Sequence, residues 1–182
     1  TYIIHHLFVS VDNVYEYGCG TAHNLVEFCR HYPEKTYYGL DWAVASQKII
    51  DLLREKLGMN MFGNRFDLFG PDKDYQIKDN SGLLTVGALE QMGNSFTEFL
   101  DYILKQKPSL CVHMETTYEL YDQNDLFDYL SAKYLEKRGY LNGFLDRLKE
   151  LDSKGMIKLL GIHRTFGSLF HDGYTLIIWK PL

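Results

Sequence analysis

The sequence predicts an α/β fold, a doubly wound, mostly parallel seven-stranded sheet with an antiparallel C-terminal edge strand. Short apolar runs alternate with helical patterns over most of the chain, as in parallel sheets with crossover helices. The last two apolar runs are joined by residues 164–173 without a helix, and a connection of that kind joins antiparallel strands. The 182 residues, 46% of them hydrophobic, suffice for one core. We therefore expect a single domain over residues 1–182, with residues 1–12 as an N-terminal extension.

Each predicted element has its own signal in the sequence. Apolar runs predict seven strands: Val14–Tyr17, Thr36–Leu40, Met61–Phe66, Gly82–Val86, Leu110–Met114, Met156–His163 and Tyr174–Lys180. Apolar residues at helical spacing predict five helices: Ala22–Tyr32, Ala45–Leu57, Phe96–Leu104, Leu126–Arg138 and Tyr140–Ser153. Pro33, Gly58, Pro108, Gly139 and Gly155 mark the helix ends. Ser95 and Glu98 have the spacing of a capping box at the start of the third of these helices.

Composition excludes several classes of protein. The chain has 19 Lys and Arg against 24 Asp and Glu, a net charge of −5, which argues against a non-specific nucleic-acid binder. No apolar run approaches the roughly 18 residues of a membrane span, so no membrane partner is expected. Cys19, Cys29 and Cys111 lie in apolar or glycine-rich segments, which favours reduced thiols and a cytoplasmic location. The chain begins at Thr1 without a leader pattern, and we expect that an upstream segment was removed.

The segment after the first predicted strand has the features of a nucleoside-binding loop. It reads Glu16-Tyr17-Gly18-Cys19-Gly20-Thr21-Ala22 and leads into a helix whose N-terminus offers free N–H groups. Asp41 follows the second strand, where a carboxylate can accept hydrogen bonds from ribose hydroxyls. Because ligands of open α/β sheets bind beyond the carboxyl ends of the strands, these residues predict a nucleoside site.

Two details favour S-adenosylmethionine over a nicotinamide dinucleotide. His23 occupies the position where a dinucleotide fingerprint has its third glycine, and its side chain would obstruct close helix–strand packing. Glu16 lies two residues before Gly18, where an acid is a poor neighbour for a pyrophosphate but suits an ammonium group.

The segment Glu16–Ala22 followed by Asp41 resembles the first motif and the next acidic site of class I S-adenosylmethionine-dependent methyltransferases, which have a Rossmann-like fold. The resemblance extends from about Asn13 to Pro181. Glu90-Gln91 and the run Phe166–Gly173 are similar to small-molecule and surface-polysaccharide methyltransferases of bacteria. The departures are Ala22 where the family usually has a third glycine, and Gln91 where related members often have His.

The resemblance implies S-adenosylmethionine as cofactor, S-adenosylhomocysteine as product, and a role for each matching residue. At the methionine end, Gly18 and Gly20 would line the ligand through their backbone, Glu16 would orient its ammonium directly or through water, and Gly87 would let it cross the fourth strand. At the nucleoside end, Asp41 would hold the ribose and Trp42 would pack on the adenine. Asp67 would accept from the adenine amino group, with the Leu68 N–H facing the ring.

Candidate bases for a hydroxyl acceptor lie at the same edge of the predicted sheet. His113 and Glu115 project to one face of the fifth strand, and His171 lies in the loop before the last strand. Each has a structural alternative: a hydrogen-bonded core histidine, a paired buried acid, and a hairpin turn. Neither His5-His6 nor His113-x-Glu115 provides a set of metal ligands, so no metal is expected.

The sequence thus predicts methyl transfer to a small-molecule acceptor, with a sugar hydroxyl as one form that this acceptor can take, and no nucleic-acid partner. The alternatives are a non-catalytic nucleoside-binding protein of this fold and a nicotinamide-dependent oxidoreductase. Aromatic residues make up 15% of the chain, and we expect several of them to line the ligand pocket: Tyr17, Trp42, Phe69, Tyr118, Tyr121, Phe166 and Phe170. The acceptor atom and the oligomeric state are left open.

Overall fold

A computed structural model describes residues 2–167 and 173–182 of the chain. Its seven strands form one sheet: β1 (Asn13–Tyr17), β2 (Thr36–Asp41), β3 (Met61–Arg65), β4 (Ser81–Val86), β5 (Leu110–Glu115), β6 (Ile157–Arg164) and β7 (Thr175–Pro181). The α-helices are α1 (Tyr2–Leu7), α2 (His23–His31), α3 (Val44–Leu57), α4 (Thr97–Gln106), α5 (Leu126–Arg138) and α6 (Phe144–Ser153). Single 3-10 turns lie at Leu89–Met92 and Tyr118–Leu120. The predicted α/β fold class is confirmed.

The strand order is β3-β2-β1-β4-β5-β7-β6. All neighbouring strands from β3 to β5 are parallel, whereas β7 is antiparallel to both β5 and β6. The last strand is thus the antiparallel one, as predicted, and it is inserted between β5 and β6, so that β6 forms the edge. The chain order reverses between β1 and β4, and the carboxyl ends of these two strands therefore flank the crevice where such sheets bind ligands.

Helices cover both faces of the sheet, each over its own apolar core. On one face, α4 and α6 pack on inward-pointing aromatic residues such as Tyr17 and Trp179. On the other face, α2 and α3 pack on Val14 and its neighbours. Because the central strands are buried on both sides, they read as almost continuous apolar runs, which explains why the sequence predicted them.

The segment before β1 belongs to the core of the second face. Ile4, Phe8 and Val11 are buried there, with at most 4% of each residue exposed. The Phe8 ring contacts Phe28 edge-to-face, with 5.2 Å between ring centroids. A Cβ built on Gly82 would lie 2.6 Å from the same ring, so the glycine makes room for Phe8.

Two predicted helix starts are wrong. The capping box does not form, because α4 begins at Thr97 with Phe96 as its N-cap and without a side-chain cap bond. Helix α6 begins at Phe144 rather than Tyr140, because Gly143 adopts a φ of 86° that interrupts the helix. All three cysteines are free and buried, as predicted. In the part of the chain that the structure describes, no helix is both long and apolar enough to span a bilayer.

Candidate active site

The glycine loop after β1 is held against its neighbours by its backbone. The N–H groups of Gly18 and Cys19 donate to the Leu40 carbonyl at 2.7 and 3.2 Å. Gly18 has a φ of 71°, and a Cβ there would lie 2.4 Å from the Ala88 Cβ. The loop thus packs tightly between the ends of β2 and β4, and only glycine fits position 18.

Asp41 is oriented by two backbone donors. Its Oδ2 accepts from the Gly20 N–H at 2.8 Å, and its Oδ1 accepts from the Ala43 N–H at 2.9 Å. Each carboxylate oxygen has a second lone pair, so the group can still accept hydrogen bonds from a ligand. Asp41 therefore joins the glycine loop to the start of α3 and presents a fixed anion at the sheet edge.

A cavity of about 500 Å³ opens at this edge, a volume typical of small-molecule sites. Its lining comes from the ends of β1 to β4: Gly18, Gly20, Asp41, Trp42, Phe66, Asp67, Leu68, Phe69, Gly87, Ala88, Gln91 and Met92. Seven of the eight residues predicted to bind the cofactor are among them, and Glu16 is the exception. The topology thus brings these seven residues together in one site.

One wall of the cavity is aromatic and open to solvent. Trp42 and Phe69 are 72% and 56% exposed. One carboxylate oxygen of Asp67 accepts from the Phe69 N–H at 2.9 Å, which fixes the turn after β3. This wall offers ring faces beside an exposed acid, an arrangement that can pack on a flat heterocycle and accept from its amino group.

Glu16 lies close to the glycine loop and does not line the cavity. Its Oε1 accepts from the Asn24 amide at 2.6 Å, whereas its buried Oε2 has no hydrogen-bond partner among the described residues. Burial raises the pKa of Glu16 to about 7. An acceptor atom left unpaired in the interior is costly unless a ligand or water completes it. The sequence analysis above did not single out Asn24, which as the second residue of α2 lies near the end of β1.

His113 belongs to a buried polar chain. The ring lies fully buried, and the indole N–H of Trp179 donates to its Nε2 at 2.9 Å. Since a neutral imidazole has one donor and one acceptor, Nδ1 carries the hydrogen and donates to the Thr85 hydroxyl at 2.9 Å. Burial lowers the pKa of His113 to about 3. With both nitrogens occupied, His113 has no atom free to take a proton from a substrate, and the predicted catalytic role does not fit this position.

Glu115 is also fully buried, and it anchors the loop after β4. Its two carboxylate oxygens accept from the N–H groups of Ala88 and Glu90 at 3.2 and 3.1 Å. Burial raises its pKa to about 7, against the opposing effect of a hydrogen bond from Thr85. The carboxylate does not line the cavity, so the structure gives Glu115 a positioning role rather than contact with a ligand.

The third predicted base, His171, lies outside the described residues. The structure instead brings Tyr174 to the end of β4, where its hydroxyl is 2.7 Å from the position that a Cβ on Gly87 would occupy. The Glu90 Oε1 is 3.9 Å from that same point. Tyr174 precedes a strand antiparallel to β5, so it lies at the carboxyl edge of the parallel strands. The predicted hairpin already placed Tyr174 close to this edge, but we predicted it to be a strand residue and not a residue of the site.

No protein-family model matches the sequence, and no curated protein is detectably similar to it. The fold, however, is that of S-adenosylmethionine-dependent methyltransferases. The methyltransferase SibL in its apo form superposes with a TM-score of 0.70 at 13% identity, over 98% of this chain and 53% of that one. NcsB1 is an O-methyltransferase from neocarzinostatin biosynthesis, solved in complex with S-adenosylmethionine and a naphthoic acid. It superposes with a TM-score of 0.68 at 13% identity, over 96% of this chain and 50% of that one.

The same fold also carries enzymes with other acceptors. The small RNA methyltransferase HEN1 superposes with a TM-score of 0.69 at 17% identity, over 99% of this chain and 24% of that one. This chain thus spans about half the length of SibL and NcsB1 and a quarter of HEN1. Among the described residues, no group of three or more His, Cys, Asp or Glu side chains could hold a metal ion.

Proposed function

We propose that this chain binds S-adenosylmethionine in the 500 Å³ cavity and transfers its methyl group to a small molecule, leaving S-adenosylhomocysteine. The observation that carries the proposal is the Asp41 carboxylate, fixed by two backbone N–H groups beside a glycine loop at the reversal point of the sheet. The shared fold and the methyltransferases that superpose on it support the same function.

The residues present fit this cofactor. The unpaired Glu16 Oε2 is a buried acceptor suited to an ammonium group reached through water. Side chains at Gly18 and Gly87 would clash with Ala88 and Tyr174, so the cradle between β1 and β4 must stay open. Asp41 would hold the ribose hydroxyls, Gly20 would follow the methionine portion, and Trp42, Asp67 and Leu68 would surround the adenine.

The bound sulfonium would supply an activated methyl group, whose C–S bond breaks as the bond to the acceptor oxygen forms, with the sulfur keeping the electron pair. Because the leaving group is already activated, the chain's own contribution is chiefly to align the two reactants. Glu115 would support this alignment by fixing the Ala88–Glu90 backbone. His113 would in turn fix the hydroxyl of Thr85, which is hydrogen-bonded to Glu115. His171 remains a predicted base.

The acceptor is proposed to be a small molecule with a hydroxyl group. NcsB1 binds a naphthoic acid, which shows that this fold accommodates small acceptors. A sugar hydroxyl is one such acceptor, in line with the resemblance to small-molecule and surface-polysaccharide methyltransferases. The two alternatives, a non-catalytic nucleoside binder and a nicotinamide-dependent oxidoreductase, share the glycine loop and Asp41, and no feature of the site favours either of them over methyl transfer.

Ligand-induced stabilisation tests the cofactor assignment. At about 100 times its Kd, S-adenosylhomocysteine should add roughly 2.7 kcal/mol and raise the Tm of a chain of this size by about 5–10 °C. Asp41→Ala should reduce this shift, because a charge-assisted hydrogen bond contributes about 1.5–3 kcal/mol. Asp101→Ala, which removes an exposed aspartate on α4, is the matched control. A shift with NAD and none with S-adenosylmethionine or S-adenosylhomocysteine would overturn the proposal.

A further inference from the structure

A second cavity, of about 320 Å³, lies next to the first. The segment Ala88–Asn94 separates the two: Gln91 and Met92 line the cofactor cavity, whereas Gly93 and Asn94 line the second one. The remaining walls come from the turn after β5 and the end of α5, with Tyr118, Glu136, Tyr140 and Asn142 among the lining residues. The two cavities thus lie on either side of the segment that follows β4.

The tyrosines of this cavity are held in place by charged partners. The Tyr118 hydroxyl donates to Glu136 Oε1 at 2.8 Å, and Lys133 binds the other oxygen of that carboxylate at 2.7 Å. The Arg138 guanidinium donates to the Tyr140 hydroxyl at 3.2 Å and lies 5.3 Å from the centroid of that ring. Both hydroxyls therefore have a charged hydrogen-bond partner before any ligand binds.

The polar groups of the lining are those that bind hydroxyls. Asn94 and Asn142 offer amide donors and acceptors, and neither side chain makes a hydrogen bond to the rest of the described chain. The Glu136 carboxylate has lone pairs beyond those used by Tyr118 and Lys133. Leu135 is the one aliphatic side chain among the described lining residues. A flat polyaromatic acceptor would leave these polar groups unpaired, whereas a polyhydroxylated ring would satisfy them and pack its C–H face on tyrosine.

We propose, on the basis of the function proposed above, that this second cavity is the acceptor site and that it binds a sugar ring. Beyond the effect of burial, Glu90 and Tyr140 are both close enough to Tyr174 to raise the pKa of its hydroxyl, and that hydroxyl lies beside Gly87 at the end of β4. The Leu141 N–H donates to the Glu90 carbonyl at 2.8 Å, which ties the cavity wall to the loop after β4. The Glu90 carboxylate and the Tyr174 hydroxyl both lie beside Gly87.

In the transfer, the methyl carbon leaves sulfur and bonds to a hydroxyl oxygen of the sugar. The sulfur keeps the electron pair of the broken bond, and the hydroxyl proton passes to water. The electrostatic surroundings of Tyr174 agree with this arrangement, because burial and then the charges of Glu90 and Glu115 raise the pKa of its hydroxyl. Tyr174 thus stays protonated and can donate to the acceptor.

The test measures sugar binding to the full chain saturated with S-adenosylhomocysteine. Saturation-transfer NMR is recorded with methyl glycosides of hexoses and 6-deoxyhexoses, and separately with 1,4-dihydroxy-2-naphthoic acid. We expect glycoside signals that weaken about tenfold in a Tyr118→Ala/Tyr140→Ala variant and in Asn142→Leu. Tyr129→Ala, at an exposed tyrosine of α5 outside the cavity lining, should leave the signals unchanged.

The possible outcomes separate this inference from the proposed function. Failure to bind S-adenosylhomocysteine would overturn the proposed function itself. Binding of S-adenosylhomocysteine without any glycoside signal, or with signals that the cavity variants do not change, would overturn the acceptor site alone. A cavity-dependent signal from the naphthoic acid and none from the glycosides would show that the acceptor class is aromatic. If the variants lose stability, the Asn142→Leu result is decisive, because that side chain is exposed.

Discussion

At the scale of single residues, Glu16 has the most distinctive electrostatic environment. It is buried next to the glycine loop with one oxygen unpaired, and burial raises its pKa from 4.5 to about 7, with the Asp41 charge adding to the effect. In the unfolded chain Glu16 ionises near 4.5, so between the two values the folded chain holds a proton that the unfolded chain has released. Stability contributed at this site therefore falls as the pH rises from about 4.5 to about 7.

Replacing Glu16 with Gln removes this ionisation and gives a testable pH dependence. Without ligand, we expect Glu16→Gln to gain stability relative to the wild type as the pH is raised from about 5 to about 8, measured by urea unfolding. Glu115 and His113, whose pKa values are also shifted, are present in both proteins and cancel in the difference. The exposed Glu55→Gln is the control. Parallel pH profiles of wild type and Glu16→Gln would contradict the assignment.

The residues that line the first cavity were predictable from the sequence because their position depends on chain topology. Gly18, Asp41 and Gly87 each follow a strand, and the carboxyl ends of parallel strands meet at one edge regardless of side-chain packing. The roles of His113 and Tyr17 depend on packing instead. Both lie at or near strand ends, yet the tertiary structure buries them fully, Tyr17 against Phe99 of α4 and His113 against Phe144 of α6. A local pattern does not show how far a helix extends over a strand end, and Tyr17 was therefore wrongly expected in the pocket.

At the scale of elements, a chain of buried polar side chains links three strands to the loop after β4. It runs from Trp179 on β7 through His113 and Thr85 to Glu115, which accepts from the backbone of Ala88 and Glu90. Every member is hydrogen-bonded, and such networks specify one arrangement of the elements they join. These hydrogen-bonded side chains thus fix the segment that separates the two cavities.

Glu115→Ala should release that segment. Two part-buried backbone N–H groups would lose their acceptor, at a cost of at most about 1–3 kcal/mol each, and the Ala88–Glu90 amides should exchange faster with deuterium. Peptides from α2 serve as the internal reference, because that helix packs on the opposite face. Unchanged exchange at Ala88–Glu90 in a folded Glu115→Ala protein would contradict the positioning role.

The element boundaries show the same division between local and tertiary signals. Helix α5 has the predicted bounds, Leu126–Arg138, because Asp125 caps its first turn and Gly139 ends it with a φ of 64°. The start of α4 was mispredicted because Ser95 donates its N–H to the Met92 carbonyl and thereby continues the preceding turn. For α5, residues next to the helix in sequence supply both caps. For α4, the preceding turn competes with the predicted Ser95 cap.

At the scale of the whole molecule, the two edges of the sheet differ, because one is lined by cavities and the other by apolar packing. Both cavities lie at the carboxyl edge of the parallel strands, among glycines, charges and exposed rings. At the amino edge, Gly82, the second residue of β4, lies against the Phe8 ring, and the segment before β1 is part of the apolar core. Stability and ligand binding should therefore respond separately to mutation.

Phe8→Ala tests this separation. Removing a buried phenylalanine costs about 3–5 kcal/mol through lost contacts and the resulting cavity, so the midpoint of urea unfolding should fall markedly. The affinity for S-adenosylhomocysteine should stay within about twofold of wild type at a temperature where the variant is folded, since Phe8 packs at the opposite edge from Asp41. Val9→Ala, at a neighbouring residue that is 53% exposed, should change neither quantity. A fall in affinity with Phe8→Ala in the folded protein would show that the amino edge is coupled to the cofactor cavity through β1 and β4, and the two edges would then have to be treated as one cooperative unit.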